Sequence, residues 1–263
     1  MAILNVTPDS FSDGGKYYDG KLKLDKILND AVQCEKDGAD FIDIGGESTR
    51  PGSESISIDE ELSRVIPVIE ILKNKIKIPI SIDTYKSEVA EEALKTGAEI
   101  VNDISGFKFD EKISKITAKY NATCILMHIK GTPRDMQKNP EYKNVLTEVY
   151  DYLSDSIDIA KKEGIQQIIT DPGIGFGKTL EQNLTLIKNI SLFRKLNCPV
   201  LLGASNKSFI DKITPTEVSE RLSGTISANV SGIFKGANIL RVHNVKENFR
   251  AMKIADEIKF NTI

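Results

Sequence analysis

Polar side chains recur along this chain at one kind of place, the C-terminal ends of short apolar runs. Asn5 and Thr7 close "AILNVT", Asp43 sits in "DFIDIG" ahead of Glu47, and Asp83 ends "IPISIDT". Asn102 and Asp103 lie in "EIVNDIS", His128 in "CILMHI" and Asp171 in "QIITDPG". Ser205 ends "PVLLGAS" with Lys207 just beyond, and Arg241 and His243 lie in "ILRVH". A buried polar group left unpaired costs ~1–3 kcal/mol. One such residue reads as a strand-end cap, whereas a repeated set at matching places points to a binding cavity. Asp83, Asn102 and Asp171 supply acceptors and one donor–acceptor amide, a set suited to a flat heterocycle with a mixed N–H, NH2 and ring-nitrogen edge. Lys207, Arg241 and Arg50 of "GGESTRPGS" add positive charge. The residues point to an anionic, phosphorylated substrate bearing a polar ring, and they do not name the ring.

Those residues need elements to position them. The eight runs, at 2–7, 40–45, 78–84, 99–105, 124–129, 167–173, 199–205 and 239–243, are short, rich in β-branched residues and apolar on both faces, as buried parallel strands are. Between them apolar residues recur at three- and four-residue spacing, as in Leu24, Ile27, Leu28, Ala31 and Val32, or Leu62, Val65, Ile66, Ile69 and Leu72. Several helical stretches run into a glycine before the next strand ("EKDGAD", "LKTGAE", "KKEGIQ", "FKGAN"), where a left-handed cap ends the helix. This order predicts an α/β fold, a (β/α)8 TIM barrel in one domain over 1–263, with its chemistry at the C-terminal ends of the strands. Phosphates in such barrels often bind near strands seven and eight, where Arg241 and His243 fall. The first strand begins at residue 2 with nothing ahead of it to cover the barrel bottom, so an upstream segment is expected.

Composition narrows the function classes. With 40% hydrophobic and 28% charged residues the chain can bury a core. A net charge of −3 argues against nucleic acid or an anionic membrane as the main partner. Cys34, Cys124 and Cys198 are far apart and odd in number, which predicts reduced core thiols in a cytoplasmic protein. No apolar run approaches the ~20 residues that span a bilayer. "GIGFGKT" (173–179) has the flavour of a phosphate loop but fails its spacing, because Pro172 stands where the first glycine is required. Gly175 and Gly177 read instead as backbone that lets a ring approach closely. His128 reads as a satisfied core histidine, and Asp43 and Asp103 as hydrogen-bond partners of the ligand-facing residues.

The stretch "NVTPDSFSDGG" (5–15) is too long and polar for a plain connector. Together with "DIGGESTRPG" (43–52), "SIDTYKSEVA" (81–90), "NDISG" (102–106), "LMHIKGTP" (126–133), "DPGIGFGK" (171–178), "SNKSFI" (205–210) and "RVHNV" (241–245), it resembles the dihydropteroate synthase family over essentially the whole chain. The resemblance implies a TIM-barrel transferase of folate biosynthesis. Its substrates would be 6-hydroxymethyl-7,8-dihydropterin pyrophosphate and p-aminobenzoate, with Mg2+ as cofactor and a homodimer as the assembly. Sulfonamides compete with the benzoate in that family. By the same resemblance the pterin would be held by Asp83, Asn102, Asp171, Gly203 and Lys207 between Ile104, Ile125, Met127 and Phe176. Asn5, Arg50, Arg241 and His243 would hold the pyrophosphate, and Asn5 with Asp9 the metal. Phe11, Thr49, Pro51, Phe176 and Ser208 would enclose the benzoate. Asp9, Arg50, Lys207 and Arg241 would be the catalytic set, and the first two loops would close over both substrates. The family usually carries Arg at Asn206 and Asp at Asn244, which puts benzoate affinity and anion orientation in question. Two other readings resemble the same barrel: a non-catalytic pterin-binding homologue, and the pterin-binding domain of a methyltransferase, which lacks the paired loops present here.

Overall fold

A computed structural model describes residues 1–7, 17–18 and 21–261. Among the described residues, eight parallel strands alternate with helices in the expected order. β1 (Ala2–Asn5), β2 (Ile42–Gly45), β3 (Ile80–Asp83), β4 (Ile100–Asp103), β5 (Thr123–Met127) and β6 (Ile168–Asp171) form a six-stranded sheet in sequence order. β7 (Leu201–Leu202) and β8 (Ile239–Leu240) form a second, two-stranded piece. Single parallel bridges, Thr170 to Val200 and Ala2 to Val242, join the two pieces into a ring. The strands are shorter than their sequence runs suggest, most clearly 199–205 and 239–243. The apolar pattern continues past the ladder, but the backbone there already bends into loops.

The helices are α1 (Leu24–Lys36), α2 (Ile58–Leu72), α3 (Ser87–Thr96), α4 (Lys112–Lys119), α5 (Val145–Lys162), α6 (Leu180–Lys188), α7 (Ser208–Ile213), α8 (Leu222–Lys235) and α9 (Val245–Phe260). Gly38, Gly97, Gly164 and Gly236, the predicted helix stops, all take positive φ. Ser57 caps α2 by accepting from the Glu60 N–H, and Thr179 with Gln182 forms a capping box on α6.

Alternation along each strand sorts the side chains into two layers. Ile42, Ile44, Ile80, Ile82, Val101, Cys124, Leu126, Val200 and Leu202 face outward into the main core beneath the helices. Inside the ring, Met1, Ile100, Ile125, Ile169 and Leu201 form a separate apolar cluster with Phe41 and Ile239 against it. Two residues further along the inward phase lie Asp43, Asn102, Met127, Asp171, Gly203 and Arg241. Period two thus places an apolar plug at one level of the barrel and the chemistry-bearing set at the next, toward the C-terminal ends.

Candidate active site

Arg241, one residue past β8, reaches across the mouth of the ring. Its Nε donates to Asp43 Oδ2 at 2.6 Å and its Nη2 to Asp83 Oδ2 at 2.7 Å. Asn102 Nδ2 donates to the same Asp43 oxygen at 3.1 Å. Asp43 is therefore the partner of ligand-facing groups that its position predicted. Burial pushes the Asp83 carboxyl up to about 7, with Arg241 pulling it down and Asp43 pushing it up again. The Asp171 carboxyl is also raised by burial and pulled back by Lys207, the Gly173 N–H, Lys178 and Arg241. Burial lowers Lys207 to about 8. Buried carboxylates whose pKa values are raised beside two cations can exchange their partners for the N–H edge of a ring at little electrostatic loss.

The opposite wall comes from the loop after β6. Gly173 N–H donates to Asp171 Oδ1 at 2.7 Å and fixes the carboxylate. Lys207 Nζ donates to the Ile174 carbonyl and stands 4.6 Å from the centre of the Phe176 ring. Gly203 keeps the gap between these groups, since a Cβ there would lie 3.7 Å from both Asp171 Oδ2 and Lys207 Nζ. Ile104, Met127, Ile129 and Met136 cluster with Tyr85 and Phe176 as an apolar lining. Ile125 lies one layer deeper, in the barrel plug with Ile100, Ile169 and Leu201, and forms floor rather than wall. His243 Nδ1 and Ser205 Oγ meet at 2.9 Å beside the Arg241 strand.

Asn5 ends β1 with its side-chain oxygen beside Gly45, where a Cβ would come within 3.1 Å of it. Thr49 and Arg50 are half-buried and Pro51 is exposed in the loop after β2. That loop docks through Gly52 N–H on the Pro133 carbonyl at 2.9 Å. Ser208 is exposed at the start of the six-residue helix α7. Asp9 and Phe11 lie outside the described residues. Asn206 takes φ 57°, a left-handed conformation that asparagine adopts more readily than most residues.

Two ionic clusters escaped the sequence reading. Lys86 Nζ bridges Glu47 at 2.5 Å and Glu61 at 2.7 Å and donates to the Ile56 carbonyl, while Tyr85 Oη donates to the other Glu47 oxygen at 2.6 Å. This cluster ties both ends of the 46–57 loop to β3 and α2. The second is Lys178, fully buried beside His128. Charged residues are surface residues by default. Only "DTYKS" and "GFGK", both within the motifs quoted, marked their neighbourhoods.

A cavity of about 770 Å3 lies one loop further out, between Lys130, Asp135, Met136, Tyr142 and Glu148. It lacks the inward carboxylates of the ring, and we place the chemistry at the ring. Among the described residues no helix is long and apolar enough to cross a membrane.

The family described as "Pterin binding enzyme" matches residues 1–243. A dihydropteroate synthase of Clostridium beijerinckii is 49% identical, covering 98% of this chain and 93% of that protein. The crystal structure of Yersinia pestis dihydropteroate synthase with a sulfonamide drug complex superposes with a TM-score of 0.93 at 38% identity, covering 98% of this chain and 93% of that one. The Clostridium difficile dihydropteroate synthase, crystallised in the presence of pteroic acid, gives 0.90 at 45% identity, covering 99% and 96%.

Proposed function

Because the chain belongs to the dihydropteroate synthase family of pterin-binding enzymes, we infer that it joins 6-hydroxymethyl-7,8-dihydropterin pyrophosphate to p-aminobenzoate, giving 7,8-dihydropteroate and pyrophosphate. One observation carries the reading to the atoms: Asp83, Asn102, Asp171, Lys207 and Arg241 converge on one end of the ring above an apolar plug. Asp83 and Asp171 accept from the N–H groups of the pterin, and Asn102, oriented by Asp43, reads a mixed edge. Phe176, Met127 and Ile104 sandwich the ring faces over the Ile125 floor, and Lys207 adds a donor beside Gly203.

The reaction breaks the bond from the pterin methylene carbon to the pyrophosphate oxygen and forms one from that carbon to the aniline nitrogen. The bonding pair leaves with pyrophosphate, and the nitrogen loses one proton. Electron density in the pterin shares the positive charge left on the methylene, so stabilising the departing anion is the main task. Arg241 is anchored by two of its five N–H donors on Asp43 and Asp83, and the others, with His243, Arg50 and Asn5, serve the pyrophosphate. The aniline nitrogen is a neutral nucleophile and needs no strong base. Thr49, Pro51, Phe11, Phe176 and Ser208 hold the benzoate, and closure of the first two loops keeps water from the methylene.

Asn5 and Asp9 offer oxygen donors that fit Mg2+. The described residues hold no cluster of three His, Cys, Asp or Glu ligands, and Mg2+ commonly takes one or two protein oxygens plus substrate phosphate and water. When bound, the ion supplies charge neutralisation at the leaving group.

Ile254, Ile258 and Phe260 on α9 and Phe234 on α8 are exposed, and Lys259 Nζ donates to the Ile233 carbonyl where the two helices meet. Ile254 and Ile258, four residues apart on one face of α9, with Phe234 exposed on the neighbouring α8, support a homodimer through these helices. The three free thiols support a reducing, cytoplasmic setting.

The test is to incubate the protein with pterin pyrophosphate, p-aminobenzoate and Mg2+ and measure dihydropteroate, with Asp83→Ala, benzoate-free and EDTA-treated controls. Product that needs benzoate and Mg2+ and is lost in the variant is expected. Pterin binding without product would favour the non-catalytic homologue.

A further inference from the structure

We propose that Lys178 is a positioning residue for the pterin pocket, its buried ammonium drawing the Gly173 and Phe176 carbonyls and the His128 imidazole together so that the 173–177 backbone aims Asp171 and Phe176 at the ring. This rests on the pterin reading given above. The segment Gly-Ile-Gly-Phe-Gly belongs to no helix or strand, so its backbone acceptors must be met otherwise. All five of its carbonyls are met by side chains. Lys178 Nζ donates to Gly173 and Phe176, each at 2.8 Å, Lys207 to Ile174, Gln137 to Gly175 at 2.6 Å, and Tyr142 to Gly177 at 2.7 Å. Lys178 is the one that holds two, and it joins the start of the segment to its end.

Four acceptor positions lie around Nζ: the Gly173 and Phe176 carbonyls at 2.8 Å, His128 Nδ1 at 2.9 Å and the His128 carbonyl at 3.4 Å. The three N–H donors of an ammonium meet the three short contacts, whereas an amine donates to the two carbonyls and meets the third only by accepting from an Nδ1–H tautomer of His128. In the proposed arrangement Lys178 is the ammonium, with His128 accepting at Nδ1 and carrying its proton on Nε2. Burial, reinforced by the Lys178 charge and by Lys108 and Lys130, lowers the imidazole to about 2 and keeps it neutral. Tyr152 and Tyr142 flank the imidazole, at 4.7 and 6.0 Å between ring centres. Burial lowers Lys178 well below an ordinary lysine and Lys207 lowers it further, while Asp171 opposes both. Across that charge pair Lys178 in turn favours the ionised form of Asp171, together with Lys207 and Arg241.

The turn leaves no room for a side chain at its first residue. Gly173 takes φ 69°, and a Cβ on it would lie 1.9 Å from the His128 carbonyl oxygen. The loop is thus pressed against β5 at the residue that fixes Asp171, with the Lys178 ammonium as the bond across the contact. The lysine of the failed phosphate-loop pattern acts on backbone oxygens inside the protein instead of on a ligand.

The decisive comparison is steady-state kinetics and pterin pyrophosphate binding for wild type, Lys178→Met, and Lys178→Ala with and without n-propylammonium. Lys178→Met is expected to raise KM for pterin pyrophosphate about tenfold or more while moving KM for p-aminobenzoate about twofold or less, since only the pterin wall is disturbed. The acid limb of its pH profile should move to higher pH, because Asp171 loses a nearby cation. Propylammonium should restore pterin binding to Lys178→Ala, and 1-propanol, of the same length without the charge, should not. Should both lysine variants fail to fold, His128→Asn retains an acceptor near the Nδ1 position and His128→Leu does not, so pterin affinity should survive in the first and fall in the second. Unchanged pterin KM and acid limb in folded Lys178→Met, or equal pterin affinity in the two His128 variants, overturns the proposal. Wild type that binds no pterin refutes the functional reading instead.

Discussion

Replacing Asp83 by asparagine separates what this residue does for stability from what it does for binding. Its carboxyl is lifted from 3.8 to about 7, chiefly by burial and in spite of Arg241. A group whose folded pKa lies above its unfolded value favours folding in its protonated form. Stability from this group is therefore present at low pH and is lost as pH rises from 3.8 through about 7. At ~1.4 kcal/mol per tenfold, the ionised form at pH 8 weakens the fold by about 4 kcal/mol relative to the protonated one. Asparagine resembles the protonated carboxyl, so Asp83→Asn should match wild type near pH 4 and exceed it at pH 8. The gain should be about 8–16 °C in melting temperature at ~2–4 °C per kcal/mol for a chain of this size. Pterin binding should fall in the same variant, because the ring loses an anionic acceptor. Thermal melts of both proteins from pH 4 to 8 give the difference directly and cancel every other titrating group. A variant less stable than wild type by the same amount at all pH values would refute the reasoning. It would mean that the Arg241 ion pair more than offsets the burial of the charge.

Three further outcomes are expected. Lys86→Met leaves Glu47 and Glu61 buried without their cation and should reduce stability by ~3–5 kcal/mol in chemical denaturation. Its 46–57 backbone should also show faster amide exchange than wild type. Gly173→Ala combines a left-handed φ with a methyl 1.9 Å from a backbone oxygen, and should lower pterin affinity by more than about tenfold, read by titration. On the homodimer proposed above, Ile258→Glu, on the exposed face of α9, should leave a protein that sediments as a monomer with an unchanged far-UV spectrum, and a wild type that already sediments as a monomer would refute that assembly.

The barrel was legible because buried parallel strands write themselves as short runs apolar on both faces, and each helix stop carried its glycine. The strand ends were overread at Gly203, Ser205 and Arg241. Polar residues just past a ladder look like strand when only the apolar pattern is followed. Asp83, Asn102 and Asp171 could be singled out as a set, since one strand phase delivers all three to the ring. Ile125 shares a strand with Met127, and only the layering of the interior shows it to be floor. Lys86 and Lys178 stayed hidden for one reason: a buried charge is identified by its partners, and Glu47, Glu61 and His128 are 39, 25 and 50 residues away from them.

The ring is closed unevenly. Between β1 and β6 each neighbouring pair shares a ladder, whereas single bridges join β6 to β7 and β8 to β1. The leaf that these seams set apart carries Gly203, Lys207, Arg241 and His243, and the main sheet carries Asp83, Asn102 and Asp171. On the proposed site, a substrate held from both sides would join the Arg241 bonds to Asp43 and Asp83 as a brace across these two single-bridge joints, and its removal should loosen the leaf before the main sheet.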